Sequence, residues 1–356
     1  MAKKIGLLTG GGDCPGLNPA IRGVVLQAAA LGYGCVGFLD GWKGAIEGDT
    51  RPLSPADVEE IVGKGGTILG TSRTNPFKKE GGAQKVMDNL KRLGLDALVA
   101  MGGEDTLGVA AKLHKDFKAP VVGVPKTMDN DLSATDYTFG FDTAATIAVD
   151  AAERLRDTGR SHKRVMILEV MGRHAGWVSL FTGIAAGADY VCLPERPVDV
   201  KDMTAKVKAA HARKGVALIV ASEAVDLGEK KAEKLDEFGH MILKDRGVAE
   251  RLQEIVEKAT GIETRSAVIG HIQRGGPPTL FDRMLGTRVG VMAARLAADG
   301  KFGMMVALKG DAVVPVSLAE ATGTLKTVSK EWLALLDTLT ASAPAKAGPS
   351  RQKAAA

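Results

Sequence analysis

The sequence of 356 residues predicts an α/β fold made of two Rossmann-like, three-layer domains with a cleft between them. Short apolar runs alternate with amphipathic helical patterns, which is typical of doubly wound sheets whose strands are joined by helices. The chain contains 44 glycines and only 4% aromatic residues, which favours a turn-rich protein that contacts ligands through its backbone. A second series of apolar runs follows the first and indicates a second sheet.

The predicted elements follow one another along the chain without a sequence repeat. Predicted strands lie at 3–10, 35–40, 97–103, 120–125, 164–172, 217–223 and 265–271. Predicted helices lie at 18–32, 83–94, 106–117 and 143–159. We expect Asn18 to cap the first helix, Pro19 to occupy its first position and Gly32 to end it.

The two series of elements also suggest where the domains begin and end. We expect one domain to comprise residues 1–140 and about 250–300, and the other to comprise residues 141–250 and about 301–340. The stretch 225–247 is highly charged and is interpreted as a solvated insertion. Residues 341–356 are rich in Ala, Pro, Ser and Lys, a composition that predicts a disordered tail.

Composition excludes several classes of partner. The net charge is only +5, and no basic segment with interleaved aromatic residues appears, which argues against nucleic acid. No apolar run reaches the roughly 18 residues of a membrane span, and the apolar start is too short for a signal peptide. Cys14, Cys35 and Cys192 show neither CxxC nor zinc spacing, so we expect a reducing, cytoplasmic setting and no membrane contact.

Two glycine turns are candidates for anion binding. Residues 10–20 follow the first strand and open the first helix, whose free N–H groups favour an anion. The sequence contains neither G-x-G-x-x-G nor G-x-x-x-x-G-K-[ST], which disfavours a dinucleotide oxidoreductase and a common P-loop. The turn is therefore either a phosphate loop or a tight structural turn. The second glycine turn, 65–73, ends at Arg73.

Acidic residues follow two of the predicted strands. Glu104 and Asp105 come directly after paired glycines, while Asp129 and Asp131 follow Lys126. Phosphoryl transfer needs a divalent cation, a base for the attacking hydroxyl and positive charge for the transferring group. Carboxylates beside phosphate-binding backbone are suited to holding Mg²⁺ and accepting a proton, although any single one could equally cap a turn or helix.

Seven motifs together resemble the phosphofructokinase family. They are GGDCPGLNPAIRG (11–23), GGTILGTSR (65–73), GGEDT (102–106), PKTMDND (125–131), SHKRVMILEVMGRHAGW (161–177), SEA (222–224) and ETRSAVIGHIQRGG (263–276). They occur in the family's order over roughly residues 3–300, and they are most similar to the mixed-substrate, actinobacterial-type branch. The resemblance implies two α/β domains with the active-site cleft between them, Mg²⁺ as cofactor, and phosphorylation of fructose 6-phosphate.

The resemblance also implies catalytic roles for residues of the acidic turns. Asp129 occupies the place of the base that accepts the proton of the sugar 1-hydroxyl, and Asp131 would help to organise the site. Glu104 fills the place of the magnesium-binding acid. Arg73 matches the arginine over the transferring phosphoryl group, and Lys126 would neutralise the donor.

The remaining implied contacts fall to the two predicted domains, the first binding the donor and Mg²⁺ and the second binding the sugar phosphate. The implied donor contacts are Gly12, Gly103, Asp105 and Thr106. The implied sugar contacts are Thr127, Met128, Asp129, Asp131, Met171, Gly172, Arg173, Glu223, His271 and Arg274, with Arg164 and Arg265 supplied by a neighbouring subunit. The family relation therefore implies a homodimer or homotetramer with shared active sites. Without it, His271 would more often be interpreted as a core histidine.

Asp105 bears on the identity of the donor, and is for that reason counted with the catalytic residues. ATP-using relatives typically have Gly at this position, which leaves room for the nucleotide. A carboxylate about 4 Å from a phosphate costs on the order of 4 kcal/mol at an effective dielectric near 20. Pyrophosphate has neither an α-phosphate nor a ribose, so Asp105 with Lys126 implies pyrophosphate as the donor. The products would be fructose 1,6-bisphosphate and phosphate, in a reaction reversible enough for glycolysis and gluconeogenesis.

Two other functions stay open on the sequence. One is an ATP-dependent phosphofructokinase, and the other is a catalytically silent sugar-phosphate sensor, which would be expected to lose Asp129 or the metal acid. Control by nucleotides is not expected, since Leu26 and Pro55 stand where regulated bacterial relatives have arginines. Arg22 and Arg156 are retained, which leaves room for a residual anion site.

Overall fold

The computed structural model describes residues 3–228 and 247–341. Its strands are β1 (Lys4–Thr9), β2 (Gly34–Phe38), β3 (Thr50–Leu53), β4 (Ala97–Gly102), β5 (Val121–Pro125), β6 (Val165–Val170), β7 (Tyr190–Cys192), β8 (Ala217–Ser222), β9 (Thr264–Val268), β10 (Met304–Lys309) and β11 (Ala312–Ser317). Most of the charged stretch 225–247 and nearly all of the tail 341–356 lie outside the described residues, and their predictions stay predictions.

Helices connect these strands in the α/β manner that the sequence predicts. They are α1 (Leu17–Ala30), α2 (Trp42–Glu47), α3 (Gly82–Arg92), α4 (Glu104–Phe117), α5 (Phe141–His162), α6 (Trp177–Ala185), α7 (Val200–Lys214), α8 (Val248–Thr260), α9 (Leu280–Ala298), α10 (Leu318–Ala321) and α11 (Lys330–Leu339). Short 3-10 turns lie at Pro55–Val58, Pro76–Lys78 and Gly270–Arg274.

Two sheets organise the described part of the chain. The larger has the order β11-β10-β5-β4-β1-β2-β3, in which β11 and β3 are antiparallel edge strands and the others are parallel. The smaller has the order β7-β8-β6-β9 and is entirely parallel. Because helices cover both faces of central strands, β4, β6 and β8 are buried along their whole length and their sequences are almost continuously apolar. The predicted fold class is confirmed.

The sheets divide the chain differently from the predicted domain boundaries. Strand β9 pairs with β6 in the smaller sheet, although residues 250–300 were assigned to the first domain. Strands β10 and β11 extend the larger sheet, although residues 301–340 were assigned to the second domain. Sheet membership is set by hydrogen bonds between segments far apart in the chain, and an apolar run carries no mark of its partner. These strands therefore pair across the predicted division, and the domain boundaries stay a prediction.

Close helix packing brings α9 back onto the larger sheet beside α1. A Cβ at Gly23 would lie 2.5 Å from the carbonyl oxygen of Thr287, and one at Gly290 would lie 2.2 Å from that of Ala20. These two glycines therefore let the helix backbones touch. One buried cluster, which contains Val24, Val99 and Leu168, continues from this layer into the smaller sheet.

The expected cap of the first helix is wrong. Helix α1 begins at Leu17 behind Gly16, whose φ of 110° only glycine adopts readily. The Asn18 side chain instead donates to Lys64 O at 3.1 Å and Gly65 O at 3.0 Å, and it accepts from Ile68 N at 2.9 Å. Asn18 thus anchors the second glycine turn to the helix, which the local sequence gives no means of predicting.

Within 3–228 and 247–341, none of the helices combines the length and apolar character needed to cross a membrane.

Candidate active site

The carboxyl ends of six parallel strands place the candidate residues at one cleft. In the larger sheet, β1, β4 and β5 are neighbours, and the direction of the chain reverses between β1 and β4, where ligands bind in open α/β sheets. In the smaller sheet, β6 lies between β8 and β9. The cleft has a volume of about 380 Å³. Its lining residues are Gly11, Gly12, Arg73, Gly103, Glu104, Asp105, Thr106, Lys126, Thr127, Met128, Asp129, Asp131, Met171, Arg173, His174, Glu223, His271 and Arg274.

The turn after β1 is fixed by backbone contacts on both sides. Gly10 N donates to Met101 O at 2.9 Å, and Gly11 N donates to Ser72 O at 3.1 Å. Thr71 Oγ1 donates to Gly11 O at 2.6 Å. The two glycine turns of the sequence are thus joined to each other, and the junction brings Arg73 to the cleft wall.

Lys126 follows β5, and its side chain reaches the glycine turn after β1. Its backbone N–H donates to Gly102 O at 3.0 Å, and its Nζ donates to Gly12 O at 2.5 Å. Burial lowers the pKa of Lys126, since the charged form loses its hydration. The neighbouring Asp129 carboxylate favours the charged form and opposes that shift. A buried cation at a glycine turn is suited to an anionic ligand.

The acidic turn after β4 is also the first turn of α4. Glu104 and Asp105 are the first two residues of that helix, and Gly103 precedes them as its cap. Acidic side chains are stabilising at a helix N-terminus, so both residues have a structural role in addition to any chemical one. Thr106 is buried against Gly10, where an added Cβ would lie 2.6 Å from Thr106 Oγ1. The two turns are therefore packed against each other.

Residues 126–131, here called the Asp129 loop, present two carboxylates to the cleft. Asp129 N donates to Thr127 Oγ1 at 3.0 Å, which fixes the start of the turn. Burial, followed by the nearby charge of Asp129, raises the pKa of Asp131 to about 7. The charge of Glu104 acts in the same direction on the pKa of Asp131.

The side of the cleft formed by the smaller sheet is held by a separate set of hydrogen bonds. Gly172 N donates to Glu223 Oε1 at 3.3 Å, and burial raises the pKa of Glu223. Met171 N donates to Gln273 Oε1 at 2.8 Å, and Gln273 Nε2 donates to Ala144 O at 3.1 Å. The buried Gln273 therefore ties the loop after β6 to the turn at 270–274 and to α5.

Arg274 spans the cleft from this second side. Its Nη1 donates to Asp13 O at 3.1 Å in the turn after β1. A Cβ at Gly12 would lie 2.7 Å from the same nitrogen, so a larger residue at position 12 would displace the guanidinium. Gly12 and Arg274, which the sequence assigned to the donor and to the sugar, thus meet in the structure.

Two predicted arginines lie outside the cleft of their own chain. Arg164 Nη2 pairs with Glu263 Oε1 at 2.8 Å, and Arg265 pairs with the same carboxylate. Arg265 also lies 3.7 Å from Glu257 Oε1. It projects from β9, an edge strand of the smaller sheet. Neither arginine is among the described residues that line the cleft.

All other predicted site residues line the cleft except Gly172, whose N–H donates to Glu223 Oε1. Two lining residues had no predicted role, Gly11 and His174. Both belong to motifs on which the resemblance depends, so the motif positions were available as a signal. Residue type alone gave none, because a glycine in a turn and a histidine in a loop are common.

The acidic residues fit a magnesium ion that is shared with a phosphate. Among residues 3–228 and 247–341, no group of three or more His, Cys, Asp or Glu side chains forms a ready metal cage. Mg²⁺ usually keeps several waters and is bound through one or two carboxylates together with substrate phosphates. Glu104 at the cleft wall, with Asp129 and Asp131 near it, meets that looser requirement.

Glycine turns, a buried lysine, an arginine and strand-end carboxylates around one cleft are the parts of a phosphotransferase. The chain belongs to the phosphofructokinase family, since the sequence model described as Phosphofructokinase matches residues 4–297. The family predicted from the motifs is confirmed.

Individual relatives carry names for both phosphoryl donors. A pyrophosphate--fructose 6-phosphate 1-phosphotransferase of Amycolatopsis methanolica is 53% identical over 334 residues, covering 92% of this chain and 97% of that protein. An ATP-dependent 6-phosphofructokinase 3 of Streptomyces coelicolor is 47% identical over 334 residues, covering 91% and 96%. The solved pyrophosphate-dependent phosphofructokinase of Marinobacter aquaeolei has a TM-score of 0.81 at 22% identity, covering 95% of this chain and 92% of that one. This last likeness shows the fold.

Proposed function

We propose that the protein transfers a phosphoryl group from pyrophosphate to the 1-hydroxyl of fructose 6-phosphate. The products are fructose 1,6-bisphosphate and phosphate, and the reaction runs in both directions. It serves glycolysis and gluconeogenesis in the cytoplasm without control by nucleotides. The name of the Amycolatopsis methanolica relative supports this substrate pair at 53% identity, against 47% for the ATP-dependent protein.

The observation that carries the donor assignment is the position of Asp105. It stands in the first turn of α4 and lines the cleft beside Gly12 and Lys126. The carboxylates of the first turn therefore already neutralise the positive N-terminal end of this helix. A nucleotide extending past the two terminal phosphates would bring a further phosphate toward Asp105. Pyrophosphate ends before that point, so it keeps the favourable contacts and avoids the repulsion.

The transfer is a direct in-line displacement at phosphorus. The 1-hydroxyl oxygen of the sugar forms a bond to the phosphorus as the bond to the bridging oxygen of pyrophosphate breaks. Asp129 accepts the hydroxyl proton, and the bridging electron pair leaves with inorganic phosphate. Lys126 and Arg73 supply positive charge where negative charge develops. Asp131 keeps Asp129 in place through the loop that they share.

Mg²⁺ belongs to this site as the partner of the donor phosphates. Glu104 would hold it, in a cleft that Asp129 and Asp131 also line. When bound, the ion supplies charge neutralisation to the phosphate oxygens. The chain's own residues set the position of the donor through the glycine turn and Lys126.

The sugar phosphate is bound by Met171, Gly172, Arg173, Glu223, His271 and Arg274. We further propose a homodimer or homotetramer in which Arg164 and Arg265 reach a neighbour's cleft. Three exposed apolar side chains support this arrangement, namely Ile272 in the turn after β9 at 69% exposure, and Leu280 and Met284 in the first turns of α9 at 77% and 54%. Large apolar side chains left this exposed favour contact with a second copy.

A rate comparison with purified protein tests the proposed function. Fructose 6-phosphate and Mg²⁺ are supplied with either pyrophosphate or ATP, and fructose 1,6-bisphosphate is measured. The proposal expects turnover with pyrophosphate and a much lower kcat/KM with ATP. Preference for ATP would assign the protein to the ATP-dependent phosphofructokinases. This is the second candidate function, because a relative of that name is 47% identical. Turnover with neither donor would favour a sugar-phosphate sensor.

A further inference from the structure

The segment 322–329, here called the crossing segment, passes from the larger sheet to α11 and touches the Asp129 loop on its way. Leu325 pairs with Leu132 in an antiparallel bridge. The backbone N–H of Lys326 donates to Asp131 O at 2.8 Å. The crossing segment is therefore hydrogen-bonded, backbone to backbone, to the end of the loop that carries the proposed base.

The Lys326 side chain adds three hydrogen bonds to this backbone contact. Its Nζ donates to Asn130 Oδ1 at 3.0 Å, to Thr135 O at 3.0 Å and to Asp136 O at 2.9 Å. An ammonium group has three donors, so all of them are used within the protein. Lys326 is thus engaged with the chain itself and has no donor left for a substrate.

Asn130 connects Lys326 to the two carboxylate residues of the loop, because it lies between them in the chain and accepts a hydrogen bond from Lys326. It stands between Asp129 and Asp131 with φ of 52°, a left-handed conformation that is uncommon outside glycine. Its Oδ1 also accepts from Thr138 N at 3.2 Å. Lys326 and Thr138 together hold the asparagine amide, and the backbone direction of both neighbours depends on it.

The other end of the crossing segment is fixed to the smaller-sheet side of the cleft. Trp177 Nε1, at the start of α6, donates to Lys326 O at 2.8 Å, and Lys326 Nζ lies 5.7 Å from the centroid of the same indole. Glu195 Oε1 accepts from Gly176 N at 2.8 Å and from Val328 N at 3.0 Å. The Asp129 loop is therefore connected to the second side of the cleft through Lys326.

We propose that Lys326 is a positioning residue that holds the Asp129 loop through Asn130, with Trp177 fixing it to the sugar-binding side. This inference rests on the proposed function, since its readout is phosphoryl transfer. Displacing a reacting group by about 1 Å can cost on the order of 10²-fold in rate while leaving bound substrates in place. Loss of Lys326 should therefore act on kcat and not on KM.

Lys326→Met is the main test, because it removes the three side-chain bonds and retains the backbone contact to Asp131. We expect kcat to fall between about 10-fold and 100-fold, with KM for both substrates changed by less than about threefold. Lys309→Met is the matched control. The Lys309 side chain is half exposed, and its Nζ lies 3.7 Å from Asp136 Oδ1. The Lys309→Met substitution therefore removes a nearby positive charge and leaves the contacts of Asn130 unchanged. Its kcat should stay within about twofold of wild type.

A double-mutant cycle decides whether the effect passes through Asn130. Asn130→Gly retains the left-handed backbone and removes the amide that Lys326 contacts. If the inference holds, adding Lys326→Met to Asn130→Gly lowers kcat by much less than it does alone. Additive effects, an unchanged kcat in Lys326→Met, or a rise confined to KM would each overturn the inference.

Two further measurements test the inference if Lys326→Met does not fold or if the wild-type protein uses ATP. Should Lys326→Met fail to fold, Trp177→Phe retains an aromatic side chain and loses the hydrogen bond to Lys326 O, and it should lower kcat with KM preserved. A normal kcat in a folded Trp177→Phe would then count against the inference. If wild type uses ATP and not pyrophosphate, the proposed function fails. The same variants measured with ATP still test the inference, because the sugar hydroxyl faces the same loop.

Discussion

The two sides of the cleft differ in how many of their predicted binding residues one chain supplies. On the donor side, Lys126 bonds to Gly12 O, Thr71 bonds to Gly11 O, and Thr106 packs on Gly10. On the sugar side, His271 is exposed, and two of the arginines expected to bind the sugar phosphate, Arg164 and Arg265, lie outside the cleft of their own chain. Under the proposed function, donor recognition is therefore a property of one subunit, whereas sugar recognition requires two.

The largest expected effect concerns the base on the donor side. Asp129→Asn retains the size of the side chain and removes the proton acceptor, so kcat should fall by at least about 10². Donor and sugar KM should change little, because Lys126, Arg73 and the sugar contacts remain. Steady-state kinetics for both substrates measure this. Asp116→Asn, at the exposed far end of α4, is the control and should behave as wild type; a kcat for Asp129→Asn within a few-fold of wild type would refute the base assignment.

A smaller effect is expected on the sugar side, where the comparison predicts a contribution from the partner. Arg265→Ala should raise KM for fructose 6-phosphate by about 10-fold or more, the usual scale of a charge-assisted hydrogen bond. Arg164→Ala should act in the same way. The exposed Arg154→Ala on α5, whose guanidinium contacts Asp150, is the control and should leave KM unchanged.

Mixing two impaired variants, assayed at fructose 6-phosphate well below KM, distinguishes a shared site from a site within one chain. A re-associated mixture of Arg265→Ala and Asp129→Asn subunits should recover up to about a quarter of wild-type activity, because hybrid dimers contain one intact site. Subunit exchange must be verified separately, for example by native mass spectrometry. If hybrids form and activity does not recover, Arg265 serves its own chain or none.

The smallest effect is a change of stability at the junction between α5 and α9. Asp282 is fully buried and accepts from Thr143 N at 2.8 Å, and burial raises the pKa of its carboxyl to about 6. The folded state therefore binds this proton more tightly than the unfolded state, so the contribution to stability falls as pH rises from about 4 to 6. The unfolding free energy of Asp282→Asn, relative to wild type, should improve by on the order of 2 kcal/mol over that range.

Denaturant titrations of both proteins at several pH values measure this difference at constant subunit concentration. Because asparagine does not titrate, the pH dependence common to both proteins cancels in the comparison. A difference that stays constant between pH 4 and 7 would show that Asp282 does not titrate as its burial requires.

The strands could be predicted from the sequence where burial on both faces makes them continuously apolar, as at β4 and β8. The candidate residues that follow those strands could be predicted for the same reason, since parallel strands bring their carboxyl ends to one edge. Membership of β9 and β10 in their sheets could not, because pairing partners lie far away in the chain. Lys326 was not predicted because its contacts arise only where the crossing segment meets the Asp129 loop.

The direct test of the donor-side account is the ratio of kcat/KM for pyrophosphate to kcat/KM for ATP in wild type, Asp105→Gly and Asp105→Asn. Wild type should prefer pyrophosphate, and Asp105→Gly should reduce the ratio at least about tenfold by removing both volume and charge. Asp105→Asn retains the volume and removes the charge, so it separates the two causes and should reduce the ratio less. A wild type that prefers ATP, or a ratio unchanged in Asp105→Gly, would contradict the claim that Asp105 excludes the nucleotide.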